Sequence, residues 1–374
     1  MKKIFFPHLD GLRFIAFFFV FLFHSFYTTS LEIKNDSVFK VIYDVTREGY
    51  LGVNLFFVLS GFLITYLLIE EIRLKGTIDI KAFYYRRILR IWPLYFVCVA
   101  IGFFVFPWVK NRLGDNPYEE TAQLSYYLFF LANYSNMLYG VSTPVLAVLW
   151  SVCIEEQFYL IWPVLVKYTP VTRMPLLLYS IIGLSTLVRI GTLHFGHGLT
   201  EDTFSVISDM AIGGLAAWLV LENKQFLCAI ENLPKYIIVA IYLVLVWFIY
   251  NREIFSDLNM YWLAIDRLVL AVLFAFVILE QNFSRNSFYK LGDFKRISSL
   301  GKYTYGLYCL HFLALLVAYK ISFKLGANNS VAGVVFFDNV LGLLIAFAMS
   351  YVSYHFFEMY FLKLKSRFSY ISKD

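Results

Sequence analysis

The chain has 374 residues, of which 60% are hydrophobic, 20% aromatic and only 16% charged, with a formal net charge of +6. Soluble domains run near half apolar and a quarter charged, so a water-soluble fold would lack the polar residues to cover this chain. Intrinsic disorder is excluded by the same apolar and aromatic excess. What remains is an integral membrane protein, an all-α polytopic helix bundle.

A helix needs about 20 mostly apolar residues to cross a bilayer. In chain order, such stretches fall near 10–30, 50–70, 90–108, 150–168, 175–195, 204–221, 235–250, 260–280, 303–321 and 331–357. The first is not a cleaved signal, because its apolar run is too long, it holds Arg13 and His24, and no small-residue cleavage site follows. An eleventh stretch, 123–140, is apolar from Leu128 to Ala132 but then runs Asn133, Tyr134, Ser135, Asn136. The distribution of basic residues decides between ten spans and eleven. With ten spans and the N-terminus inside, inner segments hold 21 of the 32 Lys and Arg residues and outer segments eight. The other three, Arg13, Arg189 and Arg267, lie within spans. An eleventh span would turn the basic clusters at 281–302 and after 360 to the outer face. The stretch 123–140 is therefore expected as a re-entrant or interfacial segment on the outer side, tolerated where it lines a cavity. Both termini are then cytoplasmic, and residues 1–374 read as one domain. The positive charge follows topology and implies no nucleic-acid partner. The four cysteines (Cys98, Cys153, Cys228, Cys309) show neither metal spacing nor a paired pattern, and no metal is expected.

Ionisable residues inside spans are expensive and mark functional sites by default. Arg13 and His24 lie eleven residues apart on the first span, close to three full turns, and so share one face. Arg13 sits near the inner surface, where it either snorkels to headgroups or lines a polar path. His24 lies in the outer half, and an imidazole is a general base near neutral pH. The fourth span carries Glu155 and Glu156 in Trp150-Ser151-Val152-Cys153-Ile154-Glu155-Glu156, with Tyr159 on the Glu155 face at i,i+4. With that span taken to start near 150, Glu155 falls at the depth of His24, where a carboxylate would orient the imidazole. Ahead of the third span, Arg86, Arg87 and Arg90 make a compact cationic patch, and guanidinium forks match phosphate oxygens. On the second span, Gly52, Ser60 and Gly61 favour close helix packing, with Asn54 or Ser60 as polar lining. Asp10, Tyr159 and His311 are expected on the same polar lining.

Several blocks together resemble the membrane-bound acyltransferase-3 family. They are Leu9-Asp10-Gly11-Leu12-Arg13 with His24, the Gly52-to-Phe62 block, Arg86-Arg87-Ile88-Leu89-Arg90 with Pro93, the Trp150-to-Pro163 block, Leu300-to-His311, and Glu358. They occur in order across essentially the whole chain. Two positions depart from the family pattern: Asn54 stands where an Asp is common, and no proline follows two residues after Glu358. The chain ends after the bundle, so the resemblance is to the standalone form without an appended SGNH domain. Acceptor choice and final transfer are then expected of the bundle itself.

The resemblance implies transfer of an acyl group, most simply acetyl, from cytoplasmic acyl-coenzyme A to a hydroxyl of an exported glycan or glycolipid. The expected setting is a bacterial inner membrane. It implies His24 as the catalytic histidine, Arg13 as its companion, and the inner arginines as contacts for the coenzyme phosphates. The rival reading of the same buried charges is a glycan or lipid-linked sugar exporter that makes no bond.

Overall fold

A computed structural model describes residues 6–113, 118–196, 201–259, 261–366 and 368. Ten helical segments are long and apolar enough to cross a membrane, and no strand occurs among the described residues. Their principal helices are α1 (Pro7–His24), α2 (Gly52–Lys75), α3 (Ile80–Ala100), α4 (Leu149–Tyr168) and α5 (Met174–His194). There follow α6 (Ser208–Glu222), α7 (Lys235–Leu258), α8 (Trp262–Phe283), α9 (Thr304–Leu325) and α10 (Asp338–Val352). The protein is a multi-pass integral membrane protein.

Local chemistry sets where these helices begin and stop. Asp79 caps α3 by accepting the Ala82 N–H, which meets one of the donors a helix start leaves open. Gly76 (φ 76°) and Gly326 (φ 67°) end α2 and α9 in the left-handed conformation that glycine adopts freely. Pro93 and Pro163 lie inside α3 and α4, where the bundle tolerates the lost backbone bond. Regular winding fails at three places, with π-helical turns at Ile101–Val105, Gly333–Phe337 and Ser353–Glu358. Such turns are frequent at functional sites.

The core is built around α2. Between helices in lipid there is no hydrophobic driving force, so close backbone approach by small residues holds the bundle together. A Cβ at Gly61 would collide with the Met210 carbonyl, and one at Gly213 with the Val58 carbonyl, so α2 and α6 touch backbone to backbone. Gly52 likewise lies against the Ala16 carbonyl of α1. At the other end of that pair, the Phe6 ring meets Phe62 and Tyr66 at 6.0 and 4.9 Å. These two contacts fix the antiparallel register of α1 and α2, and through it the depth of every polar residue on them.

The stretch 123–140 does not form a span. It folds as two short helices, Leu124–Leu128 and Ala132–Tyr139, broken at Phe130, whose φ is 56°. That backbone is costly for a residue with a side chain. The Phe130 ring sits among Tyr95 (stacked, 4.4 Å), Trp92 and Phe96 of α3, so aromatic packing offsets the cost. Gln157 of α4 donates to the Phe130 carbonyl and to Asn133 Oδ1, fastening the broken segment to the bundle.

Candidate active site

Two polar clusters lie inside the bundle, at different depths. In the first, Arg13 donates to Asp10 at 2.8 Å, one turn away on α1. Ser60 of α2 donates to Glu155 Oε1 of α4 at 2.6 Å. The Arg87 guanidinium lies over the Tyr159 ring, 5.1 Å from its centroid, and Trp92 Nε1 donates to Glu156 Oε2 at 2.8 Å. Arg90 adds a further cation to this group, acting on Arg13, Asp10, Glu358 and Tyr159. Among the described residues neither Arg87 nor Arg90 has an ion pair, and Arg87 Nε and Glu156 Oε1 are buried without a hydrogen-bond partner. Arg13, Arg87, Arg90 and Glu155 are only half-buried although they stand inside the bundle.

Eleven residues further along α1, about 16 Å at 1.5 Å per residue, is the second cluster. His24 Nδ1 lies 3.0 Å from His311 Nε2, and His311 Nδ1 lies 2.7 Å from the Tyr308 carbonyl oxygen. A carbonyl only accepts, so His311 carries its proton on Nδ1. With both rings neutral, His311 Nε2 is then an acceptor, and the hydrogen between the rings belongs to His24 Nδ1. The network thus assigns His24 an unprotonated Nε2, which makes no hydrogen bond among the described residues. His311 is fully buried and His24 half-buried, with the Phe312 ring 4.3 Å and the Phe23 ring 4.8 Å from the His24 ring. Tyr308 in turn bonds Ser151 through its hydroxyl at 2.5 Å.

The structure rearranges several of the groupings expected from sequence. Glu155 does not orient His24; its partner is Ser60, beside Arg87 and Arg13. The fourth span starts at Pro144 rather than near 150, which puts Glu155 eleven residues in and well inward of His24. Asn54 does not share a lining with Ser60. Six residues make about 600° of helix, so the two point about 120° apart. Asn54 instead donates to Asp209 at 3.1 Å, where Arg267 also binds through Nε and Nη2, at 3.1 and 2.8 Å. Arg86 separates from Arg87 and Arg90: it bonds Glu71 at 3.4 Å and the Phe368 carbonyl at 2.8 Å. Asp10, Arg13, Ser60 and Tyr159 do come together, and His311 joins His24. Sequence reading missed Tyr308 and Ser151 as members of the His24 cluster. Depth counting from sequence does not pair the histidines, because the stretch near 303–321 starts too late; the spans of the structure begin at Pro7 and Lys295 and put His24 and His311 17 and 16 residues in.

The rim at the His24 end of the bundle is tied down by carboxylates. Glu120 accepts from the backbone N–H groups of Ala122, Ser142 and Thr143 at 3.0, 2.9 and 2.8 Å, and from the Tyr118 hydroxyl at 3.0 Å. Burial pushes its pKa up, but these bonds and the Thr143 hydroxyl outweigh it and hold the carboxyl below its ordinary range. Asn133 and Tyr134 reach across to Thr203 and Asp202. Next to them, Glu201 has no partner for its carboxyl among the described residues, and burial pushes its pKa up to about 7.

A family model described as an acyltransferase domain, Acyl_transf_3, matches residues 6–355. The chain belongs to that acyltransferase family. It is similar to the peptidoglycan O-acetyltransferase OatA of Listeria monocytogenes, 26% identical over 82% of this chain and 49% of the relative. A putative O-acetyltransferase of Staphylococcus aureus is 27% identical over 99% of this chain and 60% of its own length. The putative peptidoglycan O-acetyltransferase YrhL of Bacillus subtilis is 24% identical over 94% of this chain and 54% of its own. The chain thus spans about half to three fifths of the curated relatives it matches. No solved structure matches. Among the described residues of this acyltransferase, no group of three His, Cys, Asp or Glu side chains is placed to hold a metal ion.

Proposed function

We propose that the protein transfers an acyl group, most simply acetyl, from cytoplasmic acyl-coenzyme A to a hydroxyl of an exported glycan or glycolipid, in a bacterial inner membrane with both termini inside. The observation that carries this reading is the His24–His311 pair, which leaves His24 Nε2 as a free base in the outer half of the bundle. Family membership and the O-acetyltransferase relatives support the reaction class.

The inner cluster fits the donor. Among the described residues Arg87 and Arg90 make no ion pair, and guanidinium forks match phosphate oxygens. Ser60 and Glu155 sit beside them, where the carboxylate compensates the excess positive charge. The gap of about 16 Å to His24 is one that an extended pantetheine arm suits, so the thioester reaches the base without an acyl-enzyme intermediate. His24 Nε2 takes the proton of the acceptor hydroxyl as its oxygen attacks the thioester carbonyl. The C–S bond breaks, and the departing thiolate takes the proton back from His24. His311 accepts from Nδ1–H throughout and stabilises the imidazolium while it exists.

Purified protein, labelled acetyl-coenzyme A and a glycan acceptor test this directly. Acetylated glycan should form with the wild type and be lost with His24→Ala at equal folded protein. Equal product from that variant refutes the base assignment. Glycan movement without thioester turnover would support an exporter instead.

A further inference from the structure

Away from both polar clusters, the outer end of the α9–α10 hairpin holds buried oxygens with no donor. Asp338 is 8% exposed, and neither carboxylate oxygen has a hydrogen-bond partner among the described residues. Ser322, fully buried, has an unpartnered hydroxyl oxygen. Asn339, 8% exposed, donates through Nδ2 to the carbonyls of Val334 and Val335 at 3.1 and 2.9 Å, yet its Oδ1 is unpartnered. Asn328 Oδ1 is in the same condition in the turn Ala327–Asn329.

Helix register brings the first two side chains together. Gly342 of α10 lies against Leu315 and Ala318 of α9. One turn earlier on α10 is Asp338, and one turn later on α9 is Ser322, so the two positions face each other across the hairpin. The backbone here is irregular, with the π-helical turn Gly333–Phe337 on one side and a 3-10 turn on the other, and a Cβ at Gly333 would collide with the Ala327 carbonyl. Phe26, Val334 and Val335 belong to one buried apolar cluster, so the π-helical turn is packed against the bundle.

A buried carboxylate with no donor is strongly unfavourable. A single added proton would give this corner two hydrogens, its own and that of Ser322, for a set of acceptors that outnumbers them. A cation meets several oxygens at once. The donor set is all oxygen, which excludes the metals that seek imidazole or thiolate. It holds one negative charge, whereas calcium sites collect several carboxylates. Irregular helix turns with exposed oxygens hold sodium in transporters.

We propose that Asp338 and Ser322, with Asn339 and Asn328 as the further oxygens of the same corner, bind a sodium ion that clamps the outer ends of α9 and α10. The clamp acts on the helix that carries His311, eleven residues inward of Ser322.

The test is thermal unfolding of the purified full chain in detergent, in sodium chloride, choline chloride or potassium chloride at equal ionic strength, with a calcium arm. Sodium should raise Tm in a saturable way, and Asp338→Asn and Ser322→Ala should each abolish the shift. Ser322→Ala keeps the test open should the Asp338 variant not fold. Equal Tm in all salts, with Asp338→Asn as stable as wild type, would mean a protonated carboxyl and overturn the proposal. A sodium shift that survives both substitutions, or stabilisation by calcium alone, would overturn it as well.

Discussion

His311 is the residue whose replacement discriminates best. In His311→Leu, His24 Nδ1–H loses its acceptor, the bond measured at 3.0 Å. In the ground state that bond joins neutral groups. In the transition state His24 is becoming an imidazolium, and hydrogen bonds to charged groups contribute about 1.5–3 kcal/mol. At about 1.4 kcal/mol per factor of ten, kcat should fall roughly 10- to 150-fold. KM for the donor should hold, since the proposed contacts to its phosphates are in the other cluster. His311→Gln places an amide oxygen where Nε2 accepts, and its amide N–H can still meet the Tyr308 carbonyl. This variant should recover most of the lost rate. The assay is initial-rate kinetics on purified, monodisperse protein with acetyl-coenzyme A and acceptor, over a range of pH. If Gln and Leu lose activity equally, or if Leu raises KM instead of lowering kcat, the tautomer argument fails and His311 is only a packing residue.

Other expectations follow from the same contacts. Arg87→Ala and Arg90→Ala should each raise KM for acetyl-coenzyme A about tenfold or more, since a charge-assisted hydrogen bond contributes roughly 1.5–3 kcal/mol. Arg86→Ala, already bonded to Glu71 and the Phe368 carbonyl, should change KM far less. Gly213→Ala pushes a methyl into the Val58 carbonyl and should lower stability by about 1–3 kcal/mol, read as a drop in Tm. Gly183→Ala, with open space around it, should not. The Glu120 pKa is depressed on folding, so its stabilisation is present above the ordinary carboxylate range and is lost as pH falls through the folded value. Proteolysis of the outer segment should therefore accelerate in acid for wild type, and Glu120→Gln should show that acceleration already at neutral pH. Glu201 is the opposite case. Its folded pKa of about 7 means stability declines as pH rises from the ordinary carboxylate value to about 7, and Glu201→Gln should flatten that part of a Tm–pH curve.

What the sequence exposes and what it hides divide along one physical line. The bilayer imposes a length and a charge rule on every span, so ten spans and the exclusion of 123–140 are legible from residue counts alone. Pairing across helices obeys no such rule. Ser60 and Asn54 share a span and a polar character, yet helical rotation sends one to Glu155 and the other to Asp209. Arg86 and Arg90 share a face at i,i+4, but the nearness of Glu71 claims the first and leaves the second to the interior. The sequence puts Glu155 at the depth of His24 because the fourth span is taken to start near 150, whereas the apolar span already begins at Pro144. The aromatic excess is intelligible only in three dimensions. Tyr95, Trp92 and Phe96 form the box that holds Phe130 at a positive φ, and that break keeps 123–140 from running on as a span. Rings around His24 and His311 serve a different purpose. Phe23, Phe17 and Phe312 offer no competing hydrogen bond, so the proton between the two rings is placed by His311 and, through it, by the backbone carbonyl of Tyr308. A carbonyl does not titrate, so the tautomer it dictates holds at any pH at which both rings stay neutral. A carboxylate in the same place would make the imidazole more basic, but it would add a charge to the apolar half of the bundle, where burial is costly. A second imidazole orients the base without that charge.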